Sequence, residues 1–428
     1  MTVRPDHSSL LARRTRVLAP TYRLFYEQPL AVVRAEGVWL YDEQGRRYLD
    51  AYNNVPVVGH CHPDVTQAIC KQASILNTHT RYLTEEPLAL AEELLATLPP
   101  ELDNVIFTCT GSEANDLAVQ MSKVVTGGTG FIITDFAYHG SSDSLAGMSP
   151  EEGAPLGTGV YTVPAPLRPE DSATFGEQVH GCIERMRAAG VQLAGLLLDT
   201  IFASDGVIAE PRGCLEPAVR LVREAGGLFI ADEVQAGFGR LGDSMWGFER
   251  HGVLPDLVTM GKPMGNGHPI AALVGRASLL EEFARRRHYF NTYGGNNVAC
   301  AAARAVLKVI GEEGLMQNAH STGSYLLSAL RSLAERCPVI REVRGAGLFI
   351  GVELGAPESG LSVRAQTRRV VNIMRERGVL LGVTGRNGEV LKIRPPLTFG
   401  VEHADFLLQE LERALLALPT EFEPVLQP

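Results

Sequence analysis

Val105-Ile106-Phe107-Thr108-Cys109-Thr110-Gly111-Ser112-Glu113-Ala114-Asn115-Asp116-Leu117-Ala118 is the stretch on which the architecture turns. Val105 to Phe107 is an apolar run of strand length, Thr110-Gly111-Ser112 is a turn, and Ala114, Leu117, Ala118, Met121 and Val125 then recur at helical spacing. It reads as strand, turn, helix. Working outward, short apolar runs alternate with longer segments of helical period at Phe131 to Thr134, Leu196 to Leu198, Leu228 to Ala231, Leu257 to Met260 and Ala271 to Val274. That alternation predicts an α/β fold with a mainly parallel sheet covered on both faces by helices. After about residue 325 the texture changes. A helical stretch (Val363 to Arg377), a buried-looking run (Val379 to Val383), an Asn387-Gly388 turn, a strand (Val390 to Arg394) and a final helix through Ala404, Leu407, Leu408, Leu411, Leu415 and Leu418 predict a smaller α+β domain. Val38 to Tyr41 and Tyr48 to Leu49, around Gln44-Gly45, read as a hairpin that joins it. The expected division is 1–60 contributing to the small domain, 61–325 as the large domain and 326–428 as the rest of the small one.

Composition narrows the function. The chain has 428 residues, is 45% apolar and carries 39 Lys and Arg against 49 Asp and Glu, a formal charge of −10. The length fits two or three folding units with a large core. An acidic balance without a basic cluster argues against nucleic acid, whose binding rests on a concentrated positive face. No apolar run nears the roughly eighteen residues that span a bilayer, so no membrane association is expected. Met1 to Val17 carries five charged residues and no hydrophobic stretch, unlike a secretory signal. Seven cysteines, an odd number never spaced C-x-x-C, predict reduced thiols and a cytoplasmic protein.

In such sheets ligands bind at the carboxyl ends of the strands. Four ends are unusual. Leu228 to Ala231 runs into Asp232-Glu233, placing an acid at the end of a buried strand, and Leu257 to Met260 is followed by Gly261-Lys262-Pro263. Val105 to Phe107 leads to Gly111 and Ser112 at a helix N-terminus, which favours a phosphate. Phe131 to Thr134 leads to Tyr138-His139-Gly140, an aromatic able to lie over a flat ligand. A buried carboxylate, a lysine, a phosphate cradle and an aromatic plate together describe a pyridoxal 5'-phosphate site.

Four ordered motifs carry a resemblance to a known family: Thr110-Gly111-Ser112-Glu113-Ala114-Asn115, Ala137-Tyr138-His139-Gly140, Asp232 through Arg240, and Thr259-Met260-Gly261-Lys262. From about residue 24 to the final helix the chain resembles the class III, fold-type I pyridoxal-phosphate enzymes, the aminotransferase family. The resemblance implies a seven-stranded-type sheet in the large domain. It makes Lys262 the lysine that bonds the cofactor, Asp232 the partner of the pyridine nitrogen, Val234 the packing on one ring face and Gln235 the neighbour of the ring hydroxyl. Gly111 and Ser112 would hold the phosphate, with Tyr138 stacked on the ring and His139 beside it. Asn291-Thr292-Tyr293-Gly294-Gly295-Asn296 matches the segment whose threonine reaches the partner subunit's cofactor phosphate, so Thr292 implies a homodimer.

Within the family the likeness is greatest to the alanine–glyoxylate aminotransferase 2-like branch, which includes ethanolamine-phosphate phospho-lyase. It rests on Tyr52-Asn53-Asn54-Val55 through Pro63, on Leu76-Asn77-Thr78 with Arg81, and on Gly265 to Pro269. Many members grip a substrate carboxylate with an Arg three positions before a Pro-Pro pair and gate it with a Glu. Here Lys392 stands three positions before Pro395-Pro396, Arg394 adjoins the pair on the same strand face, and Ser204 stands where the gating Glu would be. Asp199 replaces the usual Glu and Phe202 a frequent Gln. A lysine's point charge suits a phosphate as well as a carboxylate. Tyr52, Asn54, Arg81, Lys392 and Arg394 are therefore the candidate substrate residues. The broader expectation is a transaminase moving an amino group from an amine or amino acid to a carbonyl acceptor by a ping-pong route through Lys262. The sharper alternative is a phospho-lyase that eliminates phosphate and ammonia; a non-catalytic relative is a distant third, disfavoured by the intact Lys262 and Asp232.

Gly345-Ala346-Gly347 with Gly351 resembles a dinucleotide-binding pattern but lacks the acid that should follow, and reads as a tight turn. His60-Cys61-His62 lacks a second cluster and reads as a loop rather than a metal site. Cys109 reads as a packed thiol.

Overall fold

The computed structural model describes residues 7–356 and 362–418. The chain enters through helix His7–Val17 and three strands, β1 (Val32–Glu36), β2 (Trp39–Asp42) and β3 (Arg47–Asp50). The expected hairpin is β2–β3; Asp42 closes its turn by accepting from the N–H groups of Gln44 and Arg46 at 3.0 and 2.9 Å. The large sheet then forms from β4 (Asn104–Thr108), β5 (Gly130–Thr134), β6 (Val160–Val163), β7 (Leu193–Asp199), β8 (Leu228–Asp232), β9 (Leu257–Met260) and β10 (Ala271–Gly275). Its order is β4-β10-β9-β8-β7-β5-β6, with β10 antiparallel to both neighbours and the other pairings parallel. All six apolar runs of the sequence are strands of this sheet. Edge strand β6, Val-Tyr-Thr-Val with a polar alternation, is the one not anticipated.

Why the central strands are apolar throughout follows from their two covered faces. Phe131, Ile133, Leu197 and Ile230 pack with Leu117, Ala118 and Met121 of helix Gly111–Thr126, whereas Ile132, Leu196, Leu198, Phe229 and Ala231 point into the cluster on the opposite face. That helix is defined at both ends. Thr110 caps it by accepting from the Glu113 N–H at 3.1 Å, Glu113 reaches back to the Cys109 N–H at 2.7 Å, and Gly127 stops it in the left-handed region at φ 72°.

The C-terminal region contributes β11 (Ile340–Ala346), β12 (Phe349–Leu354), β13 (Val379–Leu380), β14 (Gly382–Thr384) and β15 (Val390–Ile393). The run expected at 379–383 is divided: β13 joins β3 in a four-stranded sheet ordered β1-β2-β3-β13, and β14 joins a second one ordered β11-β12-β15-β14. A single residue, Leu381, lies between them, so a continuous apolar run feeds two sheets. Gly345-Ala346-Gly347 is the tight β11–β12 connection, with Gly345 and Gly347 at φ 134° and 51°. The final helix is Val401–Leu416, two residues shorter than the periodicity through Leu418 suggested. Among the described residues no helix is long and apolar enough to cross a membrane, and all seven cysteines are free thiols.

Candidate active site

Register brings the chemistry together. β7, β8 and β9 are parallel neighbours, and Asp199 pairs with Asp232, which pairs with Thr259, so three polar residues stand in a row where the strands end. Lys262 follows three residues later, after the close approach of Gly261 to Gly111. Thr110, Gly111, Ser112, Asn115, Tyr138, His139, Asp199, Asp232, Val234, Gln235 and Lys262 line one cavity of about 220 Å³. Eight of the nine residues assigned to the cofactor by resemblance are thus brought together; Thr292 is exposed and lies outside the cavity of its own chain.

Asp232 is fixed from several sides. One carboxylate oxygen accepts from the Asn115 amide at 2.8 Å and meets His139 Nδ1 at 2.8 Å, while the other accepts from the Val234 N–H at 3.1 Å. Asn115 also donates to the His139 carbonyl at 2.8 Å and accepts from the Thr259 hydroxyl. His139 is buried, and its Nε2 has no partner among the described residues. Asn115 was not singled out from the sequence, although it lies four residues after Gly111 and so shares its helix face.

The cavity has the form of a phosphate and ring site. The first N–H groups of helix Gly111–Thr126 have no intrahelical acceptor. Gly111 sits so close to Val234 that a Cβ would lie 2.8 Å from Val234 Cγ2, and Gly140, at φ 143°, would place one 2.6 Å from the Ser112 hydroxyl. Backbone therefore approaches where a side chain would fill the cradle. Lys262 makes no hydrogen bond or ion pair among the described residues, and burial, with the charge of Arg394, pushes its amine pKa down. Burial raises the Tyr138 phenol. A buried acid at the ring end, a free amine between, and a helix terminus at the other end fit pyridoxal phosphate.

The substrate side is built on β15. Lys392 is only 5% exposed, packs 5.6 Å from the Phe349 ring and makes no hydrogen bond or ion pair among the described residues. Burial, reinforced by Arg394, lowers its pKa to about 7. Arg394 donates to Gln235 Oε1 at 2.6 Å and lies 5.1 Å from the Tyr52 ring, while Asn54 donates to the same oxygen at 3.4 Å. Its Nε is buried without a partner. Tyr52, Asn54, Lys392 and Arg394 are therefore grouped as expected from their types. Arg81 is not among them: it is exposed and stacks on Phe290 at 3.9 Å, because the segment carrying it runs beside residues 288–293 rather than into the cavity. Behind β15, fully buried Arg240 donates to the carbonyls of Leu348 and Pro395 at 3.0 and 2.7 Å, with no acid partner.

The loop after β7 closes the site. Asp199 accepts from the N–H groups of Ile201 and Ala203, and burial beside Asp232 raises its pKa to about 6. Ser204 donates to Glu151 at 2.6 Å, and its carbonyl accepts from the Gly385 N–H and the Thr384 hydroxyl, tying the loop to β14. Phe202 and Val207 are buried non-glycine residues at φ 48° and 65°, the left-handed region. The carbonyl of Phe202 accepts from both Gly206 and Val207. Glu151, from the short helical turn Pro150–Glu152, had no signal in the sequence. His60 and His62, by contrast, are absorbed structurally, on Asp50 at 2.7 Å and on Glu313 at 3.0 Å. Burial pushes the Cys109 thiol up, as suits a packed residue.

This geometry has known counterparts. The Drosophila melanogaster protein called alanine–glyoxylate aminotransferase 2-like is 38% identical over 95% of this chain and 87% of its own length. A phospholyase from Arthrobacter, solved in complex with phosphoethanolamine, is 45% identical with a TM-score of 0.91, over 96% of this chain and all of the other. An amine transaminase from an uncultivated Pseudomonas species, solved in the PLP-bound form, is 28% identical with a TM-score of 0.84, over 94% and 96% of the two chains. The sequence profile of Aminotransferase class-III matches residues 24–415. The chain belongs to the class-III aminotransferase family and is a fold-type I enzyme whose cofactor is pyridoxal 5'-phosphate.

Proposed function

We propose that, within this aminotransferase family, the chain acts on a small amine whose tail carries a phosphate, and that it removes that phosphate by β-elimination. The observation that carries this reading is Lys392 and Arg394: a buried and a half-buried cation on one strand, neither with an ion-pair partner among the described residues, Arg394 held against Gln235 of the cavity lining. A buried charge left unpaired is costly, and a dianion placed between two such groups recovers that cost. Ser204 at the gating position brings no acid of its own; it donates to Glu151, which makes no ion pair with either cation among the described residues. For O-phosphoethanolamine the balance is substrate plus water giving acetaldehyde, ammonia and inorganic phosphate.

In this reading Gly111 and Ser112 hold the cofactor phosphate, Tyr138 covers one ring face and Val234 the other, Gln235 adjoins the ring hydroxyl, and His139 and Asn115 orient Asp232. When bound, pyridoxal phosphate supplies an aldehyde that bonds amines and a protonated ring that accepts electrons. Asp232 keeps the proton on the ring nitrogen. Lys262, its amine pKa depressed by burial, would hold the cofactor until a substrate amine replaces it and would then be placed to take the Cα proton. Tyr52 and Asn54 would shape the substrate side, and Lys392 and Arg394 would hold and orient the phosphate as it leaves the β carbon.

A second reading has one observation behind it. Arg394 is retained beside the Pro pair and suits a carboxylate, and a relative at 38% identity is named an aminotransferase; the same Lys262 would then return the proton to the cofactor carbon. Mixing holoenzyme with O-phosphoethanolamine alone separates the two. Phosphate and ammonia released together over many turnovers, with the yellow band recovering, is the expected result. Bleaching without phosphate would overturn elimination in favour of transamination.

The assembly we infer is a homodimer. Leu83 is 98% exposed, and Ile75, Tyr82, Phe290 and Tyr293 are exposed nearby, around Arg81 and Thr292. A second copy covering this apolar surface would bring Thr292 to the partner's cofactor phosphate and Arg81 toward its site. Domains at 1–60 with 326–428, and at 61–325, and a cytoplasmic setting for the free thiols belong to the same proposal.

A further inference from the structure

We propose that Glu151 is the built-in counter-charge of the Lys392–Arg394 pocket, an internal competitor that sets how tightly the pocket holds a phosphate. The inference rests on the anion-pocket reading above. Besides Asp232, three acids act on Lys262, Lys392 and Arg394: Asp50, which bears on Arg394 and is bound to His60, and Asp199 and Glu151. They are held very differently. Asp199 is clamped at the end of β7, accepting from two backbone N–H groups, one to each of its carboxylate oxygens. Glu151 is held at its side chain by one hydroxyl: Ser204 donates to Oε2 at 2.6 Å, and Oε1 has no hydrogen-bond partner among the described residues. Its backbone is anchored, since the Glu151 N–H donates to the Ala137 carbonyl at 3.2 Å, one residue before Tyr138.

Ser204 is in turn fixed to β14, which pairs with β15 at Lys392 through Gly382. The acid and the cations it faces are thus carried on one hydrogen-bonded frame. Glu151 bears on Lys262, Lys392 and Arg394 alike, raising the pKa of each against the burial that lowers them. Its next neighbour Glu152 is exposed and is not among the charges that act most on the three. A fixed acid close to the pocket weakens every anion in it, and inorganic phosphate, the leaving product, is weakened as much as the substrate; Glu151 therefore favours product release.

The test is calorimetric titration of holoenzyme with inorganic phosphate, at fixed pH and ionic strength, for the unaltered protein and the variants Glu151→Gln, Glu152→Gln, Ser204→Ala and Lys392→Met. Gln at 151 still accepts from Ser204, so a merely structural role predicts no change. The expected result is phosphate bound about tenfold more tightly by E151Q and unchanged by E152Q. S204A, which frees the acid to approach the cations, should bind about threefold more weakly. Equal affinities for the unaltered protein, E151Q and E152Q, with binding lost in K392M, would overturn the role of Glu151 and leave the pocket standing. No phosphate binding, or binding indifferent to K392M, would remove the pocket reading and this inference with it.

Discussion

The two halves of the active site are charged in opposite styles. At the ends of β7 to β9 nearly every polar group has a partner: Asp232 is gripped by Asn115, His139 and the Val234 N–H, and Asn115 by Thr259. On β15 the charges are buried first and partnered little; Lys392 has an aromatic ring and Arg394 an amide oxygen. The carboxylate end of the cofactor half is satisfied as folded. The substrate half holds an electrostatic deficit that an anionic ligand fills, and this difference separates the cofactor chemistry of the site from its selectivity.

The most severe way to break this contrast is Lys262→Ala. All turnover should be lost, by about 10⁴-fold or more, because among the described residues Lys262 is the only lysine lining the cavity. Borohydride reduction of the unaltered holoenzyme followed by mass analysis should find the cofactor attached at Lys262; attachment at another lysine would contradict the assignment. Next comes Lys392→Met. Phosphate release from O-phosphoethanolamine should fall about 100-fold in kcat/KM, since a charge-assisted contact to a leaving dianion is lost. The same variant should melt higher, because an apolar side chain replaces an unpaired buried cation. Activity lost and stability gained together would sharpen the contrast. A drop in stability would break it.

On the cofactor side the reverse sign holds. Asn115→Ala should cost about tenfold in rate and also lower the melting temperature, since it leaves Asp232 and the Thr259 hydroxyl short of a partner. The smallest effect concerns pH. Sulfate, whose own charge is constant across the range, should bind more weakly as pH rises through about 7, where Lys392 loses its proton, and K392M should flatten that dependence. The direction follows from the lowered pKa: the cationic form is complete only below it. A flat profile in the unaltered protein would place the anion elsewhere.

The cofactor half was legible in the sequence because its parts obey local rules. A strand that ends in Asp232 and a capped helix that opens at Gly111 are recorded in adjacent residues, and parallel strand order then fixes where they meet. The substrate half was less legible because its contacts join distant segments. Arg394 and Gln235 are 159 residues apart, and Ser204 and Glu151 are 53 apart, with no spacing rule to connect them. The single residue between β13 and β14 escaped for a related reason. Leu381 separates strands of two different sheets, and a buried apolar run carries no mark of which neighbour it pairs with.

The left-handed backbone of Phe202 and Val207 bears on attempts to retrain this enzyme. Each such residue costs about 1–3 kcal/mol and persists only where its surroundings insist on it. Here they do: the Ile208 N–H donates to Ile201, Arg344 holds the Gly206 carbonyl, and Gly385 holds Ser204. The loop is a jig rather than a hinge. Laboratory evolution toward other amines should therefore find its gains by exchanging side chains such as Ser204 at fixed loop length, while insertions or deletions between Asp199 and Ile208 should cost the fold before they teach it a new substrate.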